Sequence, residues 1–164
     1  MKKIALFAGV ALLASCGSPN EGTIETEDGE VTYDIDEGGD GIDATFTGPD
    51  GEVARFESGP NTQAELPSGF TIYPGATVVM NQTVTTNDGG GSILVMTASA
   101  SAEEVIEFYR GQASRAGIDI ASEMNANGTR VIGGEAEDGT ALSVSAIPSG
   151  DGTTQIQLTI GRGN

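Results

Sequence analysis

Ser101-Ala102-Glu103-Glu104-Val105-Ile106-Glu107-Phe108-Tyr109-Arg110-Gly111-Gln112-Ala113-Ser114-Arg115-Ala116-Gly117 is the stretch that reads as the one convincing helix of this chain. Ser101 and Glu104 stand in capping-box spacing, the serine oxygen accepting from a free first-turn amide while the carboxylate reaches back to the serine N–H. Val105, Phe108, Tyr109, Gln112, Ala113 and Ala116 make a mostly apolar stripe at helical spacing. Gly117 stops the helix, because a residue without Cβ enters the left-handed conformation at no steric cost.

Outward from the helix the chain reads as strands. Leu66 to Ala76 is held extended by Pro67 and Pro74, with Phe70, Ile72 and Tyr73 placed to lie as a lid over the start of a core. Thr77 to Thr85, a turn at Asn87-Asp88-Gly89-Gly90-Gly91, and Ser92 to Ala98 predict a hairpin. After the helix, Ile118 and Ile120, then Arg130 to Ile132, then Leu142, Val144 and Ala146, then Ile156, Leu158 and Ile160 predict four more strands. Turns fall at Asn125 to Gly128, Asp138-Gly139 and Gly150-Asp151-Gly152. The expected fold over residues 66–164 is α+β, β-β-α-β-β-β-β, an antiparallel sheet with one helix packed on a face. Tyr73-Pro74-Gly75-Ala76, Phe108-Tyr109-Arg110 and Ala116-Gly117 resemble a domain that recurs in uncharacterised bacterial envelope lipoproteins. That resemblance covers Leu66 to the C-terminus, implies an envelope protein, and brings no catalytic residues with it.

Residues 23–65 have a different character. Val31, Tyr33 and Ile35 alternate with Thr32, Asp34 and Asp36, and Ile42, Ala44 and Phe46 alternate in the same way. Asp-Gly-Glu-Val occurs at Asp28 and again at Asp50, each time at a predicted turn, so two similar hairpins are expected. Glu21 to Glu65 holds 14 acids against Arg55 alone, a net charge of −13. So few large apolar residues are not expected to fold alone against that repulsion, and the acidic β-hairpins should extend or lie on the following sheet.

The acids raise one metal reading. Gly38-Gly39-Asp40-Gly41-Ile42-Asp43 looks like part of one RTX-type calcium repeat, while Asp34, Asp36 and Gly39 fit the first, third and sixth positions of an EF-hand loop. Asp34, Asp36, Asp40 and Asp43 are therefore the candidate Ca2+ ligands. Thr45 breaks both patterns, standing where one needs a large apolar residue and the other a bidentate glutamate. An acidic, glycine-rich connection is the plainer account. Met80 and Met96, if they share a face of the hairpin, are candidate Cu(I) thioethers, although methionine more often fills a core gap.

The N-terminus supplies a location. Lys2-Lys3 and an apolar run from Ile4 to Leu13 have the form of a secretory signal. The run is too short for a membrane-spanning helix, which needs about twenty residues. Leu12-Leu13-Ala14-Ser15-Cys16 resembles the lipobox of bacterial lipoproteins, which implies cleavage before Cys16 and acylation of that cysteine. The expected organisation is a signal peptide at 1–15, a lipid-anchored linker at 16–22, the acidic hairpins at 23–65 and the α+β domain at 66–164. Gly17 lacks the aspartate that retains many such lipoproteins in the inner membrane, so the expected place is the outer membrane, facing the periplasm.

Composition then narrows the chemistry. Residues 16–164 hold five arginines, no lysine, no histidine and one cysteine, against 24 acids. There is no basic footprint for nucleic acid, and no Ser-His-Asp, Cys-His or Schiff-base machinery. A carboxylate pair for glycoside hydrolysis is compatible with so many acids, but nothing singles one out. The expectation is a lipid-anchored, non-catalytic binding or structural module with no cofactor, whose partners are the bilayer and an envelope protein or ligand. The alternative is a Ca2+-binding envelope protein that uses the acidic region.

Overall fold

The computed structural model describes residues 21–27, 29–36, 42–59, 64, 66–87 and 89–162. Cys16, Asp40 and the N-terminal apolar run lie outside these residues. The described elements are β1 (Glu21–Thr26), β2 (Gly29–Asp36), β3 (Ile42–Thr47), β4 (Val53–Ser58), β5 (Thr77–Thr86), β6 (Gly89–Ala98), α1 (Ala102–Arg115), β7 (Ile118–Ala126), β8 (Thr129–Ala136), β9 (Thr140–Pro148) and β10 (Thr154–Arg162). All ten strands join in one sheet of order β1-β2-β3-β4-β5-β6-β10-β9-β8-β7, each neighbouring pair antiparallel. The fold is mostly antiparallel sheet with a single described helix packed on it, so α+β fits only loosely.

The helix forms where its caps predict. Glu104 N–H donates to Ser101 Oγ at 3.2 Å and Ser101 N–H donates to Glu104 Oε2 at 2.9 Å. The backbone and side-chain bonds from Ser101 hold the Glu104 carboxyl below its usual range. Gly117, at φ +74°, follows the last turn. The buried stripe differs from the expected one: Ala102, Val105, Ile106, Tyr109, Gln112 and Ala113 are buried, Phe108 is half-buried and Ala116 exposed. Ile106 belongs to the stripe because it lies three residues before Tyr109 and four after Ala102, on the same helical face.

α1 lies over β7, β8 and β9. Beneath it and beside it are Leu94 and Met96 of β6, Ile132 of β8, Val144 and Ala146 of β9, and Ile156, Leu158 and Ile160 of β10, all with no exposed surface. The segment from Leu66 to Ala76 packs against this core as expected, with Phe70 buried and Ile72 and Tyr73 partly so. Tyr73 meets the edge of Phe108 at 5.2 Å between ring centroids, and Phe108 meets Tyr109 at 5.1 Å. Gln112 explains the polar member of the stripe. Its Oε1 accepts from Thr71 N–H at 3.0 Å and its Nε2 donates to Thr71 Oγ1 at 3.0 Å, tying the loop to the helix.

The acidic strands extend the sheet rather than stacking on it, through β4 against β5. β1 begins at Glu21, inside the stretch assigned to a linker, and pairs with β2 across Ile24 and Val31. Cross-strand partners share a face, so the register can be followed across the sheet. On the helix side one row runs Ile132, Val144, Leu158, Leu94, Asn81, Glu57, Asp43, Asp36. It changes from aliphatic to acidic at Asn81, which is 1% exposed and whose Oδ1 has no hydrogen-bond partner. Apart from Val53, the apolar residues of β1 to β4 therefore lie on the opposite face from the core. A bulge between Val78 and Met80 accompanies this change on β5. It also corrects the methionine reading: Met96 is buried on the helix side, whereas Met80 pairs with Val95 and lies on the other face.

Candidate functional site

The sheet brings three of the four candidate calcium ligands onto one face. Asp36 stands directly opposite Asp43, and Asp34 lies two residues along β2 opposite Thr45. All three are exposed. Directly opposed like charges destabilise a strand pair, and the row continues to Glu57, so this face carries a line of carboxylates. Asp34 and Asp36 lie in extended backbone within β2, not in the wrapped loop of an EF-hand. The fourth candidate, Asp40, lies outside the described residues. Among the described residues no three histidine, cysteine or acidic side chains come together in a group that could hold a metal ion.

A second arrangement was not evident in the sequence. A cleft of about 500 Å3 lies at the C-terminal end of α1, walled by Pro67 to Phe70, Arg115, Asp138 and Arg162 among others. The leading loop supplies an apolar wall through Pro67 and the buried Phe70, and Gln112 fixes that loop from below. Arg115 and Arg162 bring two of the five arginines of residues 16–164 to this place. Arg115 Nε donates to Gly111 O at 3.0 Å, in the last helical turn, where positive charge complements the helix dipole. Arg162 Nη1 lies 3.6 Å from Asp138 Oδ2. The Thr140 hydroxyl and backbone N–H, with a smaller contribution from Arg162, hold the Asp138 carboxyl below its usual range. The two arginines lie 47 residues apart in sequence, so only the sheet order, which places β10 and the β8–β9 turn beside the helix end, unites them. The wall of the cleft is apolar at Pro67 and Phe70, and its two arginines are held by Asp138 and by Gly111 O.

The opposite end of the helix offers an open cleft of about 640 Å3, lined by residues such as Ser101, Glu103, Arg130 and Thr153. Its polar groups are already engaged with one another. Arg130 Nη2 lies 3.4 Å from Glu103 Oε2, and Thr154 Oγ1 donates to Ala100 O at 2.6 Å.

No helix among the described residues is long and apolar enough to cross a membrane. A START domain-like family model matches residues 78–155, from β5 to the start of β10. No curated protein and no solved structure matches the chain.

Proposed function

We propose that this chain is a lipid-anchored cell-envelope protein acting as a non-catalytic binding or structural module, of α+β type over residues 66–164. The observation that carries the binding role is the START domain-like match over residues 78–155, which favours a ligand-holding scaffold. The Arg115–Arg162 cleft is the place we assign to the ligand. The anchor is Cys16, by the Leu12 to Cys16 pattern. One acyl chain gives only marginal membrane binding, and two or three hold a protein without a transmembrane helix. The environment is the periplasmic face of the outer membrane.

Metabolic labelling with a tagged fatty acid tests the anchor. Wild-type protein takes up label and stays with the membrane fraction, whereas Cys16→Ser takes up none. Equal label in the two would refute the lipoprotein reading. Chemical crosslinking and capture from intact membranes tests the binding role, with Arg162→Ala as the control. A partner or ligand retained equally by the Arg162→Ala variant would remove the cleft from the account.

The second reading is divalent-cation binding by the acidic face, where Asp36 stands opposite Asp43. Salt and calcium separate that reading from plain charge repulsion. The Debye length falls from about 10 Å at 0.1 M to about 3 Å at 1 M salt. Repulsion alone makes the melting temperature climb with sodium chloride, with little further effect of calcium in molar salt, and this is the outcome we expect. A calcium site would instead stabilise by RT ln(1 + [L]/Kd) even in molar salt. A saturating, calcium-selective shift that Asp36→Asn abolishes would promote the cation-binding reading.

A further inference from the structure

The face of β1 to β6 opposite the helix side carries no charge at any described position and is mostly apolar, with Tyr33, Ser58 and Gln82 among its polar members. It presents Ile24 on β1, Val31 and Ile35 on β2, Ile42, Ala44 and Phe46 on β3, Ala54 and Phe56 on β4, Met80 and Val84 on β5, and Ile93 and Val95 on β6. Ile24 is 51% exposed, Ile42 43%, Phe46 38% and Val84 38%. The carboxylates of the same strands all leave from the other face. An apolar surface of this extent marks an interaction site.

We propose that this face binds a second copy of the same chain, back to back, about a two-fold axis running along the strands between β4 and β5. The inference goes beyond the function proposed above and does not depend on it. Its basis is the shape of the rows. One runs Phe46, Ala54, Val84, Gly91, Gly161, from a large exposed ring to bare backbone. Gly91 is small by necessity, since a Cβ there would stand 2.8 Å from the Ile160 carbonyl oxygen. The result is an open cleft of about 630 Å3 whose lining includes Val84, Gly91, Ala141 and Gly161.

A two-fold axis between Ala54 and Val84 exchanges β3 with β6. Phe46 of each copy then faces the Gly91 cleft of the other, about 14 Å away along the row at three strand spacings. The neighbouring rows place Ala44 against Ile93 and Ile42 against Val95. Large meets small in two of these three pairs, as a self-complementary two-fold interface requires.

Charge agrees with a second copy. Stacking back to back turns both carboxylate faces outward, the arrangement that separates them furthest. A lipid surface fits less well, because residues 16–164 contain no lysine or tryptophan to border the patch. About this axis β3 to β6 of the two copies cover one another, while β1 and β2 reach over β9 and β10 of the other copy. The four apolar strands overlap over about 19 Å, and at roughly 20 Å long this apolar part is roughly 400 Å2 per copy, about 800 Å2 in total, in the range of weak, transient contacts. The dimer is therefore expected to be reversible.

Sedimentation velocity on the full chain from about 1 to 100 μM tests this, with melting by circular dichroism as the check on folding. The wild type should pass from the 16.6 kDa monomer to twice that mass. Phe46→Asp should raise the dimer dissociation constant about 100-fold or more, since it places a charge within an apolar contact. Val84→Asp, at the axis, should act in the same way. Thr32→Asp, which adds the same charge to the opposite face, should associate like the wild type. A wild type that stays monomeric throughout would overturn the proposal. So would association unchanged in both Phe46→Asp and Val84→Asp, which would mean contacts made elsewhere. Monomers that float with phosphatidylcholine vesicles, and lose that in Phe46→Asp, would also overturn it and give the face to lipid.

Discussion

Tyr109→Ala is expected to destabilise the fold by about 3–5 kcal/mol, the range for deleting a large buried ring. Tyr109 has no exposed surface and stands on the helix face that meets the sheet, edge-on to Phe108. Phe108, the more obvious target by sequence, is half-buried and should cost less. At about 2–4 °C per kcal/mol for a chain of this size, thermal denaturation separates the two variants easily. An equal or larger loss in Phe108→Ala would mean that the helix sits on its other face.

The hydroxyl of the same residue gives a test in the opposite direction. It is buried without a hydrogen bond of good geometry, and burial pushes its pKa up to about 12, an effect that the Tyr73 backbone nearby opposes only weakly. Removing an unsatisfied buried hydroxyl is neutral or stabilising, so Tyr109→Phe should melt at or above the wild-type temperature at neutral pH. Above pH 10 the unfolded chain loses this proton before the folded one does. Stability fully present below about pH 10 is then lost as pH rises toward 12, by roughly 2–3 kcal/mol. Tyr109→Phe should lack this part of the alkaline decline, and identical slopes in the two proteins would contradict the burial argument.

Much of this fold is legible from local chemistry. The capping box at Ser101 and Glu104, the stop at Gly117 and the alternation in Leu142 to Ala146 and Ile156 to Ile160 each act within a few residues. So does the Asn127-Gly128 turn, whose two positive φ values, +51° and +83°, belong to a tight hairpin. The side of the sheet on which Val31, Tyr33 and Ile35 lie is not local. Alternation says that one face of a strand is apolar, and a shift of one residue in register moves that face to the other side. Here the side is decided where Phe56 stands opposite Gln82 while Glu57 stands opposite Asn81. That contact spans a connection of 18 residues between Ser58 and Thr77. For the same reason the Arg115–Arg162 cleft was hidden, whereas Asp34, Asp36 and Asp43 were singled out by the spacing of calcium-loop patterns and share a face through the β2–β3 register.

The second large effect concerns which part of the chain holds the other. Among the described residues, every buried apolar side chain but Ala44 lies between Phe70 and Ile160. The core cluster and the residues packed on it begin at Ala64. β1 to β4 add backbone pairing and a face of like charges, but no side chain to that cluster. They should therefore depend on β5, and β5 should not depend on them. Among the described residues of β1 to β4, Arg55 stands against seven carboxylates on the helix-side face, so their removal also relieves repulsion.

Thermal unfolding of a fragment comprising residues 66–164, followed by circular dichroism, tests most directly the claim that the core is confined to the helix side of β5 to β10. A folded spectrum and one cooperative transition are expected. A random-coil spectrum, or a fragment that melts without cooperativity, would contradict that claim and make the acidic strands part of the core.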